Sequence, residues 1–397
     1  MRMHRAPHGR PVLVCALGAL AAAGTLSACA TTDTASSESA NPAIKVVATT
    51  TQICDYVTQI AQGAPAEAGL ALKKTGSDAK TTQIGAPDNE AKSRIELTCL
   101  LAPNASAHEH EMTPLQQKAL AGADIMLVSG VDLEHFLDSA IESSGFHGTM
   151  GVTTGVLTST EVSDPEANAS KEAALPYTID RGIKKVEVEK WPFPPAEGES
   201  EPEFSYDPHV WTSPKNAAIQ VANIGSFLEK AAPESAEALK SSVAAYEERL
   251  SELDTWTKES IDSVPEGQRI LFSSHDAFGY FSKSYGIEFI GAALSDFNEQ
   301  QDATASHISQ EAEKVKASGA RAIFAENSNN SKSIEAIARA AGVNAVVGED
   351  ALYGDSLGPQ GTEGETYIGS ILHNVTTIVN AWNGTVAPVP TSLGGAQ

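Results

Sequence analysis

Short apolar runs alternate with longer amphipathic stretches through most of this 397-residue chain. Runs at 44–49, 95–101, 125–129 and 151–154 read as buried strands, and the signal recurs at 269–272, 288–290, 320–324 and 345–347. Helical periodicity fills intervals between them, at 115–121, 307–317, 332–341 and 367–382. Thr113 suits an N-cap and Pro114 a first helical position. Strands alternating with helices predict an α/β fold with mostly parallel sheets.

The most helical stretch lies between the two halves, opened by Pro233 and closed by Pro265. Leu239, Val243, Tyr246, Leu250 and Leu253 fall at three- and four-residue steps, which makes one apolar stripe. At 1.5 Å per residue this helix can reach about 45 Å, enough to run beside two domains, although a core helix of one domain has the same pattern. The expected division is an N-terminal domain at 43–232, a linking helix at 233–264 and a C-terminal domain at 265–390. Two segments read as insertions. One is 64–93, polar and rich in Gly and Lys; the other is 159–205, with Trp191-Pro192-Phe193-Pro194-Pro195 and an acidic run. Segments this long are functional loops, small extra elements or disordered stretches.

The first residues read as a secretory signal, 1–28, with Arg2, Arg5 and Arg10 ahead of an apolar run at 12–24. That run is short of the roughly 20 residues a membrane span needs. It ends in Leu26-Ser27-Ala28-Cys29, which resembles a bacterial lipobox and implies lipidation at Cys29. A Ser/Thr/Ala-rich tether, 29–42, follows. The chain carries a formal charge of −24, and its first 28 residues hold three Arg and no acid, leaving −27 for the rest. Such acidity argues against a nucleic-acid partner and against membrane attachment through a basic patch. Cys15 lies in the signal segment. Cys54 and Cys99 remain as a pair that an exported protein can oxidise to a disulfide or keep as two small buried thiols.

Four short segments carry candidate metal chemistry. They hold His108 in Ala-His-Glu-His-Glu-Met-Thr-Pro, His209 in Asp-Pro-His-Val-Trp, His275 in Ser-Ser-His-Asp-Ala-Phe-Gly, and Asp355 in Leu-Tyr-Gly-Asp-Ser-Leu-Gly. Three imidazoles and one carboxylate form a closed donor set for a borderline divalent cation. A lone loop histidine is more often a surface residue, so the inference rests on all four flanking patterns together. Asp207 is placed to accept a hydrogen bond from an imidazole, and Asp276 to cap the next helix. His135, His147, His307 and His373 lack ligand-like neighbours and read as surface or structural residues.

These segments, in this order, resemble the TroA-like zinc- or manganese-binding proteins, the solute-binding components of metal ABC importers (cluster A-I, or cluster 9). The likeness spans 45–382. His108-Glu109-His110-Glu111-Met112-Thr113-Pro114 is similar to the family's first ligand loop and is followed by Gly130-Val131-Asp132-Leu133-Glu134. The alignment makes His108 the ligand and puts His110 where the family usually has an aromatic residue. Asp207-Pro208-His209-Val210-Trp211 matches the second segment. Asp350 lies near Asp355, but the flanks match at Asp355.

The resemblance implies two Rossmann-like domains joined by one long backbone helix, with the metal in the cleft between them. It implies a lipid-anchored monomer outside the cytoplasm that hands its ion to a permease driven by a separate ATPase. Zn2+ is the expected cargo and Mn2+ the alternative. Three nitrogens favour zinc, and His275 stands where manganese members carry a carboxylate. The histidine-rich loop of many zinc members has no counterpart between His147 and His209. Binding should weaken as pH falls through the histidine range. A surface adhesin, with 159–205 as its contact segment, is the other function considered. A metal-dependent hydrolase is disfavoured by the closed donor set and by the lack of a His-Glu-x-x-His sequence. The chain also has no Gly-x-x-x-x-Gly-Lys phosphate loop of its own.

Overall fold

Val46 and Ala48 pack into one hydrophobic cluster while Val47, between them, packs into another. A strand that buries successive residues on opposite sides must lie inside a sheet covered on both faces. A computed structural model describes residues 42–394 apart from 109, 194, 196–199, 203 and 294–303. The signal segment, Cys29 and all of the tether but its last residue lie outside the described residues.

The strands are β1 (Ile44–Ala48), β2 (Leu70–Thr75), β3 (Thr81–Gly85), β4 (Ser93–Cys99), β5 (Ile125–Val128), β6 (Thr149–Val152), β7 (Thr178–Asp180), β8 (Ile270–Ser273), β9 (Glu288–Ala292), β10 (Ala322–Phe324) and β11 (Asn344–Val346). The first seven form one sheet in the order β3-β2-β4-β1-β5-β6-β7, and the last four form a second in the order β11-β10-β8-β9. All neighbours run parallel except β2 and β3. The expected mostly parallel α/β architecture is therefore present, with two sheets. Cys54 and Cys99 are joined in a disulfide with Cα atoms 5.6 Å apart, tying the helix Thr51–Gly63 to the end of β4.

Segment 64–93, expected to be an insertion, supplies two strands of the first sheet. Leu70, Ala71 and Leu72 are buried, and β2 pairs with β4 from Leu70↔Ser93 to Thr75↔Thr98. Its partner β3 is an edge strand with Thr81, Thr82 and Gln83 exposed. Polar residues suit an unpaired edge and erase the hydrophobic signal of a strand. Segment 159–205 likewise contains two short helices, Ser159–Ser163 and Pro165–Glu172, and β7.

The long helix runs over Ala236–Asp262, after a single 3-10 turn at Pro233–Ser235. Its 27 residues span about 40 Å. The stripe expected from the sequence is buried and continues through Trp256 and Ile261. The helix packs against Thr51–Gly63 and Pro214–Ala231 from the first half and against Tyr367–Ala381 from the second. Ser242 Oγ donates to Ile60 O at 2.5 Å, and Trp256 Nε1 donates to Ala387 O at 2.9 Å. Burial of Leu250 and Leu253 contributes roughly 1.5–3 kcal/mol each. Among the described residues, no helix is long and apolar enough to cross a membrane.

Candidate metal centre

Strand ends position the first and third candidate ligands. β4 ends at Cys99 and leads into the loop of His108; β8 ends at Ser273, two residues before His275. In α/β sheets, ligands collect outside such carboxyl ends. The His108 loop is closed behind this candidate ligand by the next helix, Pro114–Ala121. Thr113 and Gln116 form a reciprocal capping box there, and Gln116 Nε2 donates to Leu100 O at 2.6 Å. Downstream, Gly130, Val131 and Asp132 all have positive φ, a costly conformation for β-branched Val131. Buried Glu134 stabilises this turn by accepting from Ser129 N, Gly130 N and Thr49 Oγ1. That gives the Gly-x-x-x-Glu pattern a physical role.

His209 opens a 3-10 turn, Val210–Thr212, ahead of the helix Pro214–Ala231. Asp207 Oδ1 accepts its backbone N–H at 2.9 Å and lies 2.8 Å from its Nδ1. A carboxylate at Nδ1 favours the tautomer whose Nε2 lone pair is free to coordinate. Asp355 follows β11 on a loop gripped from the first half of the chain. Gln52 Nε2 donates to Asp355 O at 3.0 Å, Trp211 Nε1 to Gly354 O at 2.9 Å, and Ser106 Oγ to Asp355 Oδ2 at 2.8 Å. His275 is held by its own N–H, which donates to Glu326 Oε1 at 3.2 Å.

The four side chains meet. His209 Nε2 lies 3.1 Å from His108 Nε2, 3.2 Å from His275 Nε2 and 3.6 Å from Asp355 Oδ1. Asp355 is 3.5 Å from each of the other two rings, and one donor atom from every residue falls within 4.8 Å of all the rest. Four donors set tetrahedrally about 2.1 Å from one centre would lie about 3.4 Å apart. All four residues are at most 5 % exposed. Crowded lone pairs of this kind repel unless a proton or a cation sits among them.

Burial pushes His108 down to about 4, opposed by Asp355 and helped by the other two rings. Burial alone would push the Asp355 carboxyl up, but His275 and His108 outweigh it and hold the carboxyl well below the usual carboxylate range. At neutral pH the centre therefore presents an ionised carboxylate and a proton-free His108 Nε2 or Nδ1.

His110 is half-buried against Phe136, with ring centroids 5.0 Å apart, and is not among the clustered donors. Asp350 is exposed in the turn Gly348–Asp350 and lies outside the cluster. His135 and His147 are exposed; His307 reaches Ala293 O at 2.9 Å; His373 is buried between Glu363 and Ala351 O, 3.0 Å from each. The capping role expected of Asp276 is corrected: the helix begins later, at Gly279, without a side-chain cap. Asp276 is instead buried and pushed up to about 7, chiefly by desolvation. Sequence reasoning also passed over Ser106, Gln52 and Glu326, whose contacts exist only once distant loops meet.

Asp207 gives a specific expectation. Asp207→Asn keeps the shape but removes the charge at His209 Nδ1, and metal affinity should fall about 10–100-fold with one binding site retained. Calorimetric titration of both proteins checks this, and equal affinities would rule out the orienting role.

Residues 46–381 match the family described as "ZnuA: Zinc-uptake complex component A periplasmic". This chain belongs to that family. It is 28% identical over 307 residues to the manganese-binding lipoprotein MntA of Bacillus subtilis, covering 76% of this chain and 88% of the relative. It is 27% identical over 319 residues to the zinc-binding protein TroA of Treponema pallidum, covering 78% and 91%. The solved structure of the periplasmic zinc-binding protein TroA from Treponema pallidum superposes with a TM-score of 0.58 at 25% identity, covering 86% of this chain and 99% of that one. As a ZnuA-family member, the protein has a TroA-like fold, and its four clustered donors come from segments either side of the long helix.

Proposed function

We propose that the protein is the extracytoplasmic receptor of a metal ABC importer. It captures Zn2+, or alternatively Mn2+, through His108, His209, His275 and Asp355, and delivers the ion to a permease served by a separate ATPase. The observation that carries this reading is the convergence of four buried donors from four distant segments within 4.8 Å. Family membership and relatives named for zinc and for manganese support it. A closed four-ligand set leaves no open position for activating water, which favours transport over hydrolysis. Two ligands come from 43–232 and two from 265–390, the parts we read as domains joined by the helix region 233–264. Lipidation at Cys29 would hold a monomer at the outer face of the membrane, in keeping with relatives named as lipoproteins.

Competition titration of the metal-stripped protein with zinc and manganese at neutral pH tests the proposal. One tight site preferring zinc supports zinc uptake; equal or tighter manganese binding reassigns the cargo. No tight site for either ion defeats the reading.

Acid should act on the metal-free protein and on binding in the same direction. The folded chain resists protonating His108 until about pH 4, whereas an unfolded chain protonates its histidines near 6.5. The unfolded state thus binds more protons between those values, and stability of the metal-free protein should fall as pH drops from 6.5 towards 4. Zinc affinity should also decline on acidification, as protons compete with the ion for the imidazole nitrogens. Thermal melts and zinc titrations across pH 8 to 4 check both; a flat affinity profile would contradict the imidazole ligands.

A further inference from the structure

We propose that Trp191 and Phe204 form an apolar roof over the donor cluster and select a four-coordinate cation over one that keeps bound water. This inference rests on the metal-capture reading above. Phe204 is buried, and its ring lies 5.6 Å from that of His108 and 6.1 Å from that of His209. Trp191 lies 6.0 Å from the His209 ring and 5.0 Å edge-on from Phe204. Both belong to segment 159–205, outside the four ligand segments.

The roof is anchored on both halves of the chain. Trp191 N donates to Ser205 O and Asp207 N to Glu189 O, at 3.2 and 2.9 Å, which fixes the two ends beside each other. Tyr280, from the helix after His275, donates through its hydroxyl to Asp207 O and accepts from Glu189 N, both at 3.0 Å. Lys283 on the same helix pairs with Glu189 at 2.5 Å, and Phe193 packs on Phe289 of β9 with centroids 5.3 Å apart. These contacts hold Trp191 and Phe204 in place when the donors are buried.

Zinc is satisfied by the four donors present. Manganese favours six ligands and would recruit waters beyond them. A water ligand needs hydrogen-bond partners of its own, and aromatic carbon supplies none. Removing the roof therefore relaxes the restriction on coordination number while leaving every donor in place.

The test compares the purified protein with F204A, W191A and the apolar control F204L, each titrated with Co2+, Zn2+ and Mn2+. Wild type and F204L should give the intense visible bands of four-coordinate Co2+. F204A and W191A should give the weak bands of higher coordination, and their zinc-over-manganese affinity ratio should fall about tenfold. Trp191 is only partly buried, so W191A keeps the test open should F204A fail to fold. Unchanged cobalt spectra and an unchanged ratio in a folded variant overturn the roof alone. A wild type that binds none of the three cations overturns the metal-capture reading and the roof with it.

Discussion

Replacing His209 with alanine is expected to abolish tight zinc binding, a loss beyond the roughly 10–100-fold typical of removing an outer-shell partner. His209 Nε2 has all three other donors within 3.6 Å. Its side chain is fully buried, so no solvent-borne ligand can easily take its place. The variant would retain three donors without the nitrogen that the others face. The thermal signature should disappear with affinity. At free zinc about 100 times Kd, binding adds about 2.7 kcal/mol to wild-type stability, and the variant should show no such gain. Competition titrations and melts with and without zinc measure the two effects on the same samples. A His209→Ala protein with wild-type affinity would remove the central assumption of the site. A variant whose metal-free form also melts far below wild type would instead assign His209 a packing role.

The four clustered segments were legible because each candidate donor sits in a short local pattern tied to a nearby structural device. Pro208 and Trp211 flank His209; Thr113 and Pro114 start the helix that closes the His108 loop. The long helix was legible because the apolar positions Leu239, Val243, Tyr246, Leu250 and Leu253 recur at helical steps on the face it buries against helices from both halves of the chain. Local pattern failed where neighbours determine the outcome. β3 has no apolar face to advertise, since it is an edge strand, and β2 passes from Leu70-Ala71-Leu72 to Lys73-Lys74 within six residues. Asp276 looks like a helix cap by its position after His275, yet Ala277 and Phe278 intervene before the helix begins at Gly279. Trp191 and Phe204 read as part of an insertion because their contacts with the His209 and His108 rings exist only once the segment folds back over the cluster. The donors were therefore readable one by one, while their enclosure was a property of packing.

The disulfide should separate stability from affinity. It joins residues 45 apart, and loop-closure entropy for that separation gives about 4 kcal/mol, within the usual range for a native bridge. Cys54→Ser with Cys99→Ser should lower the free energy of unfolding by about that amount, read as a lower urea midpoint. Reducing the wild-type protein should shift its midpoint equally, and a midpoint insensitive to reductant would show that the bridge contributes nothing. Metal affinity is expected to follow a different course. Neither cysteine is a donor, but their neighbours act near the site. Thr51 Oγ1 accepts from Leu357 N at 2.9 Å, and Gln52 holds Asp355 O from the helix that carries Cys54. That helix is also buried against the long helix, so its position does not depend on the bridge alone. Zinc affinity of the double variant should therefore stay within a few-fold of wild type at temperatures where it is folded. If affinity instead fell in step with stability, the bridge would be needed to set Thr51 and Gln52 against the Asp355 loop, and its role would extend from the chain's unfolded state to the geometry of the metal centre.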